Sequence, residues 1–147
     1  LQKSVDGGNA NILIAFIIGT SGVGTIKSNG STTSYNTSSD YRIKENVVDM
    51  TNSIDRVNQL RPRQFNFISD ANKEINEGFL AHEVANVCPT AVSGEKDAMK
   101  IDNETGEEVM DIQQLDQSKL VPLLVGAIQE LSAEVDTLKE RIAVLEG

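Results

Sequence analysis

The chain has 147 residues and a net charge of −9, enough for one medium domain with a modest core. Lys3, Asp6 and Lys27 are the charged residues of the first 39, so residues 40–147 carry −10; nucleic acid and anionic membranes, which select a basic face, are disfavoured as partners. A single cysteine, Cys88, and a single histidine, His82, exclude an internal disulfide, a thiolate metal cluster and a histidine-rich metal site, and no cofactor is expected.

The chain opens on Leu1 rather than methionine, which predicts a piece of a longer protein. Residues 1–38 read as short strands and turns punctuated by Gly7-Gly8, Gly19, Gly22, Gly24 and Asn29-Gly30. The apolar run Ile12–Ile18 is seven residues long, whereas a membrane span needs roughly 20. It also lacks the basic flank and cleavage site of a signal peptide. Its β-branched content, bounded by Asn11 and Gly19, predicts a buried strand. Val23–Ser28 running into Asn29-Gly30 predicts a second strand and a turn. So short an apolar β-segment cannot bury itself alone; it needs a sheet from upstream sequence or from copies of itself.

The composition changes at residue 39, from Gly, Ser, Thr and Asn to charged and helix-forming residues. Residues 40–117 read as a compact α+β unit. Thr51-Asn52-Ser53 offers an N-cap for a short helix carrying Ile54, Val57 and Leu60, stopped by Pro62. Gln64–Phe67 alternates as a strand does. Gly78–Val87 reads as a strand end and a short helix, ended by Cys88-Pro89, with Cys88 a small buried hydrophobe. Ala91-Val92 and Met99–Ile101 are candidate short strands, and Asp102–Glu107 is a candidate hairpin tip.

Residues 118–147 carry the strongest periodicity. Val121, Leu124, Ile128, Leu131, Val135, Leu138, Ile142 and Leu145 alternate spacings of three and four. With Val121 at position a, the a sites are Val, Ile, Val and Ile and every d site is Leu, a coiled-coil seam. Pro122 is tolerated only in a first turn, which fixes the start near Ser118–Val121 and gives a helix roughly 40 Å long. In a parallel neighbour Glu134 would face Lys139, and Arg141 would face Glu146, both attractive pairs. The a/d residues by themselves lean towards two strands. A seam this narrow reads as an oligomer contact; the alternative is a face packed on its own domain.

The residues able to do chemistry lie at the composition boundary. A serine hydroxyl is a poor nucleophile until a base takes its proton, and a lysine amine does so when burial lowers its pKa. Ser39 and Lys44 form such a pair. Their spacing alone is common by chance and favours a turn serine beside a solvated lysine.

The wider pattern is more specific. Thr37–Asn46 resembles the start of the C-terminal intramolecular chaperone domains of phage tailspikes and tail fibres, the self-cleaving endosialidase-type family of peptidase S74. The family's Ser-Asp-x-Arg-Leu/Ile-Lys-x-Asn pattern is met throughout by Ser39–Asn46. Gly78–Val84 resembles its Gly-Phe-Ile-Ala-Gln-Glu-Val block, with His82 where glutamine is usual, so His82 is given no catalytic role. Leu120–Leu131 resembles the block that opens its C-terminal helix.

The resemblance implies a homotrimer that guides folding of an upstream β-structured fibre or tailspike of the same polypeptide, assembled in the host cytoplasm, and then releases itself. Residues 1–39 would be the end of that fibre with its cleavage loop, 40–117 the α+β chaperone domain and 118–147 a parallel trimeric coiled coil. The implied cut is Ser39–Asp40, with Ser39 as nucleophile and Lys44 as general base. The base must be neutral, which requires desolvation; a free lysine amine, at roughly pKa 10, is a poor base. Asn46 is a candidate oxyanion donor or a turn residue. Glu83 is a candidate for orienting Lys44 or the scissile loop, or an exposed helix carboxylate. Ser39 attacking its own carbonyl would close a four-membered ring. Attack on the Ser38 carbonyl closes a five-membered ring but cuts one bond earlier. A hydroxyl from a neighbouring chain, or relay of a proton to water, cuts after Ser39. Two other readings use the same features without a cut: a trimerisation module that stays attached, and a receptor-binding tip with residues 64–110 as its surface.

Overall fold

The structure, a computed structural model, describes residues 11–147; the Gly7-Gly8 turn expected from the sequence lies outside them. The architecture is α+β, with strands first and a long helix last. The chain divides into two compact units, one ending at Val48 and the other running from Asp49 to Gly147.

The first unit is a three-stranded antiparallel meander of β1 (Asn11–Ile18), β2 (Ser21–Ser28) and β3 (Thr33–Thr37), in the order β1-β2-β3. Ile14 pairs with Ile26 and Phe16 with Gly24, while Ile26 pairs with Tyr35 on the other side. The β2–β3 turn is organised by Asn29, whose Oδ1 accepts from the backbone N–H of Ser31 and of Thr32 at 3.0 and 2.8 Å. Gly30 supplies the left-handed step there, with φ 89°. β1 is the strand expected at Ile12–Ile18, but it is not buried within the chain: Phe16, Ile17 and Ile18 are 52, 63 and 73% exposed. A three-stranded meander supplies no second layer of its own, and these apolar side chains stay exposed.

The second unit has its core at Val84, Cys88, Ala91 and Leu120, with Leu60, Phe79, Val92 and Leu115 packed around it. Helix α1 (Ser53–Gln59) leads to β4 (Arg63–Phe65), which pairs antiparallel with β5 (Asn76–Gly78). Helix α2 (Ala81–Ala85) follows and carries Val84 into the core. β6 (Val92–Ser93) pairs with β9 (Gln114–Leu115), and between them β7 (Met99–Ile101) and β8 (Glu108–Met110) form a hairpin. Its tip is the expected Asp102–Glu107 turn, where Asp102 Oδ1 accepts from the backbone N–H of Glu104 and Thr105 and from the Thr105 hydroxyl.

Helix α3 (Val121–Glu146) spans 26 residues, with Pro122 in its first turn. It packs against α1, but not through the heptad seam. The α3 residues withdrawn from solvent over this stretch are Leu123, Gly126, Ala127 and Glu130, which are heptad positions c, f, g and c. Every seam residue from Val121 to Leu145 is at least 40% exposed. The helix therefore has one face for its own domain and another, apolar and uncovered, along its length.

The α1–α3 contact depends on Gly126. A Cβ placed there would lie 2.5 Å from Ser53 Oγ and 3.1 Å from Ser53 Cβ, and Ser53 is fully buried. Alanine would gain about 1 kcal/mol of helix propensity, but overpacking costs typically 1–3 kcal/mol. Gly126→Ala is predicted to lower the stability of this unit by up to about 2 kcal/mol on that balance, read by denaturant midpoint. Adding Ser53→Gly, which removes both obstructing atoms, should recover part of the loss; a Gly126→Ala chain stabilised by the full propensity gain would contradict the packing.

Glu130 replaces the local cap expected for α1. Asn52 occupies the N-cap position but sits in the left-handed region, φ 57°, and its side chain makes no capping bond. Glu130 instead reaches from α3 and accepts from the N–H groups of Ser53 and Ile54, both at 2.8 Å. A carboxylate on the positive end of a helix is favoured there. The Ile54 and Ser53 N–H bonds hold its pKa below the ordinary value. A depressed folded-state pKa stabilises the fold above the ordinary carboxylate pKa of about 4.3, and that contribution is lost as pH falls through the lower folded value. Glu130→Gln is therefore expected to lower the melting temperature near neutral pH and to lose less than wild type on acidification. Equal acid sensitivity of the two chains would refute this role.

Candidate active site

The site is built on a turn that leaves the β-meander. The β2–β3 ladder extends one residue past β3: Ser38 N donates to the Val23 carbonyl at 3.2 Å, and Ser38 Oγ to the Gly22 carbonyl at 3.1 Å. The chain leaves the sheet at Ser39. Asp40, extended at φ −67°, ψ 133°, N-caps a 3-10 turn over Tyr41–Ile43, the role a short acceptor side chain plays best. Its Oδ1 accepts from Arg42 N at 2.9 Å. The same carboxylate accepts from Arg42 Nε at 2.9 Å and Nη2 at 2.6 Å, a two-pronged guanidinium pair. Ile43 N donates to the Asp40 carbonyl and Lys44 N to the Tyr41 carbonyl, which close the turn.

That closure brings Lys44 back over Ser39. Lys44 Nζ lies 2.8 Å from Ser39 Oγ and donates to it. Both residues are exposed in the single chain. The Arg42 guanidinium, with the Arg42 N–H, holds the Asp40 carboxyl below the usual carboxylate range. Among the charged side chains of this turn, Asp40–Arg42 is the ion pair within the described residues. Asn46 has φ 53°, a left-handed conformation that asparagine tolerates better than most residues.

The remaining sequence candidates lie in the second unit. Glu83, on α2, directs both carboxylate oxygens at Arg63 of β4, at 2.6 and 3.1 Å, and one of them also reaches Arg61 at 3.4 Å. Arg63, foremost by its hydrogen bonds, lowers the Glu83 pKa. These bonds tie α2 to the β4–β5 pair. His82 is half-buried on the same helix, beside a shallow groove lined by Asn86, Lys96 and Gln113. Cys88 is buried in the core.

Residues 39–93 match the model of a protein family described as chaperone of endosialidase, peptidase S74. Over these residues the chain is similar to the endosialidase chaperone family. The matched segment begins at Ser39, the residue whose hydroxyl receives the Lys44 amine, and ends at Ser93, the last residue of β6. It contains the Ser39–Asn46 and Gly78–Val84 blocks, while Leu120–Leu131 lies beyond it. No helix among the described residues is long and apolar enough to cross a membrane.

In the sequence Asp40 stands out only as a neighbour of the cut, and Arg42 has no assigned role. The signal was present: an Asp before a three-residue turn is an N-cap pattern. Glu130 carried no such signal, because its partners are 76 and 77 residues away.

Proposed function

We propose that the chain is an intramolecular chaperone that assembles as a trimer at the end of an upstream β-structured phage fibre or tailspike, and then detaches by a single cut at Ser39–Asp40. The observation that carries the cut is the 2.8 Å contact of Lys44 Nζ with Ser39 Oγ at the first residue of the matched segment. In the reaction Ser39 Oγ gives its proton to a neutral Lys44 and attacks the carbonyl carbon. The peptide C–N bond breaks, and the Asp40 nitrogen leaves as an amine with the proton from Lys44. Water hydrolyses the resulting ester. Ring strain disfavours attack by Ser39 on its own carbonyl, so the hydroxyl comes from a neighbouring copy, or the pair activates a water instead.

Exposure of the pair in the single chain supports gating by assembly. Solvent favours the charged form of an amine, and burial removes that preference. Two uncovered apolar surfaces, the α3 seam and β1, supply the drive to associate. Fibres of intertwined strands have mostly non-local contacts and fold slowly. A C-terminal clamp raises the effective concentration of the three chains and sets their register. Its removal then leaves a product that unfolds very slowly.

A denaturing gel of wild type, Ser39→Ala and Lys44→Ala tests the proposal. A fragment of residues 40–147 from wild type alone is the expected result. A wild-type trimer that stays whole would instead mark a trimerisation module without a protease.

A further inference from the structure

We propose that Asp40 and Arg42 are positioning residues: Asp40 caps the turn that brings Lys44 to Ser39, and Arg42 occupies the Asp40 carboxylate so that it does not pair with Lys44. This rests on the Ser39–Lys44 reading above.

Asp40 has two jobs that conflict. As cap, its Oδ1 must stay on Arg42 N, 2.9 Å away, because that bond and the Lys44 N to Tyr41 carbonyl bond shape the turn. As a carboxylate next to Ser39, it is a natural partner for Lys44. Lysine is a compact charge on a flexible four-carbon stem, and its Nζ already rests on the residue adjacent to Asp40. An ammonium–carboxylate pair would favour the protonated amine, which is the wrong form for a base. Arg42 resolves the conflict. Its Nε and Nη2 take both carboxylate oxygens, and a planar two-pronged guanidinium is a better carboxylate partner than an ammonium. Lys44 is left with the Ser39 hydroxyl.

Among the described residues of this turn and the adjoining β2, no other charged group does the same. The titratable side chains of the turn are Asp40, Tyr41, Arg42, Lys44 and Glu45. β2 brings Gly22 and Val23 to Ser38, and its charged residue, Lys27, is in register with Ser34 further along the ladder.

The test is the cleavage time course across pH for wild type, Asp40→Ala, Asp40→Asn, Arg42→Ala and the Arg42→Ala/Asp40→Asn double variant, with trimer mass checked by light scattering. Asp40→Ala should assemble but cut roughly five- to tenfold more slowly, the rate equivalent of a lost cap. Asparagine, an equally good cap, should restore most of that rate. Arg42→Ala should move the pH of half-maximal cutting upward by about half a unit or more, as expected for an amine that gains a partly exposed carboxylate partner. The double variant should return it. A merely structural role for Arg42 would slow the cut without moving its pH profile, and that result overturns the proposal, as does wild-type cutting by Asp40→Ala. A readout independent of cleavage uses uncut Ser39→Ala chains. There the Lys44 side-chain titration, followed by NMR, should shift upward on adding Arg42→Ala and return with Asp40→Asn. An unmoved titration overturns the proposal even if no chain is ever cut, whereas failure of wild type to cut, with the titration shift intact, overturns the protease reading alone.

Discussion

A Lys44→Met chain is expected to assemble as wild type does and to remain whole. Methionine keeps a comparable length and an unbranched stem but has no amine to accept the Ser39 proton. Loss of a general base costs roughly 10²- to 10⁴-fold, so a cut complete in about an hour would take on the order of days or longer. Lys44→Arg sharpens the prediction. A guanidinium can donate to Ser39 Oγ as Lys44 Nζ does, but it keeps its proton at any working pH. If Lys44 serves as base, arginine should be as inactive as methionine. If it served only as a hydrogen-bond donor, arginine would cut, and the base assignment would fail. Because Lys44 is exposed and is not one of the core residues, folding should survive either change, and circular dichroism of the uncut chain checks this.

The second large effect is expected from the α3 seam. Leu131 and Leu138 are d positions, 54 and 52% exposed in the single chain. A Leu131→Asp/Leu138→Asp chain loses the burial of two leucines per copy, about 1.5–3 kcal/mol each, and puts like charges together in both layers. Assembly should be abolished at micromolar concentration. The domain should remain folded, because α3 holds α1 through Leu123, Gly126, Ala127 and Glu130, on another face. With no neighbouring copy to bury the Ser39–Lys44 pair or to supply a hydroxyl, the cut should fail as well. Val144→Asp is the control. Val144 is a c position, 81% exposed, and should change neither assembly nor cutting. A double variant that still cuts as a single chain would separate the chemistry from assembly and remove the gate.

What the sequence revealed and what it hid follow from the range of the interactions. The α3 helix was legible because heptad spacing and Pro122 are local signals, and the Asp102–Glu107 tip because Asp102 bonds within its own turn. β1 was legible as a strand, but its exposure was not: Ile17 and Ile18 are largely exposed, and a second layer, or the want of one, leaves no mark on the strand's own pattern. β3, Thr33–Thr37, carries no apolar alternation and is held by pairing with β2, so periodicity passed over it. Thr51-Asn52-Ser53 reads as the α1 cap, but the capping bonds come from Glu130, because a long-range acceptor has no local signature. At the candidate site the spacing of Ser39 and Lys44 meant little alone. The 3-10 turn capped by Asp40 turns a separation of five residues into a 2.8 Å contact.

The central claim is that assembly and the cut are one event. Its most direct measurement is intact-mass spectrometry on the purified protein after separation by oligomeric state. The trimer fraction is expected to contain the fragment of residues 40–147, beginning at Asp40, and the single-chain fraction to be whole. A trimer fraction whose chains stay whole, or single chains already cut at Ser39–Asp40, would contradict it.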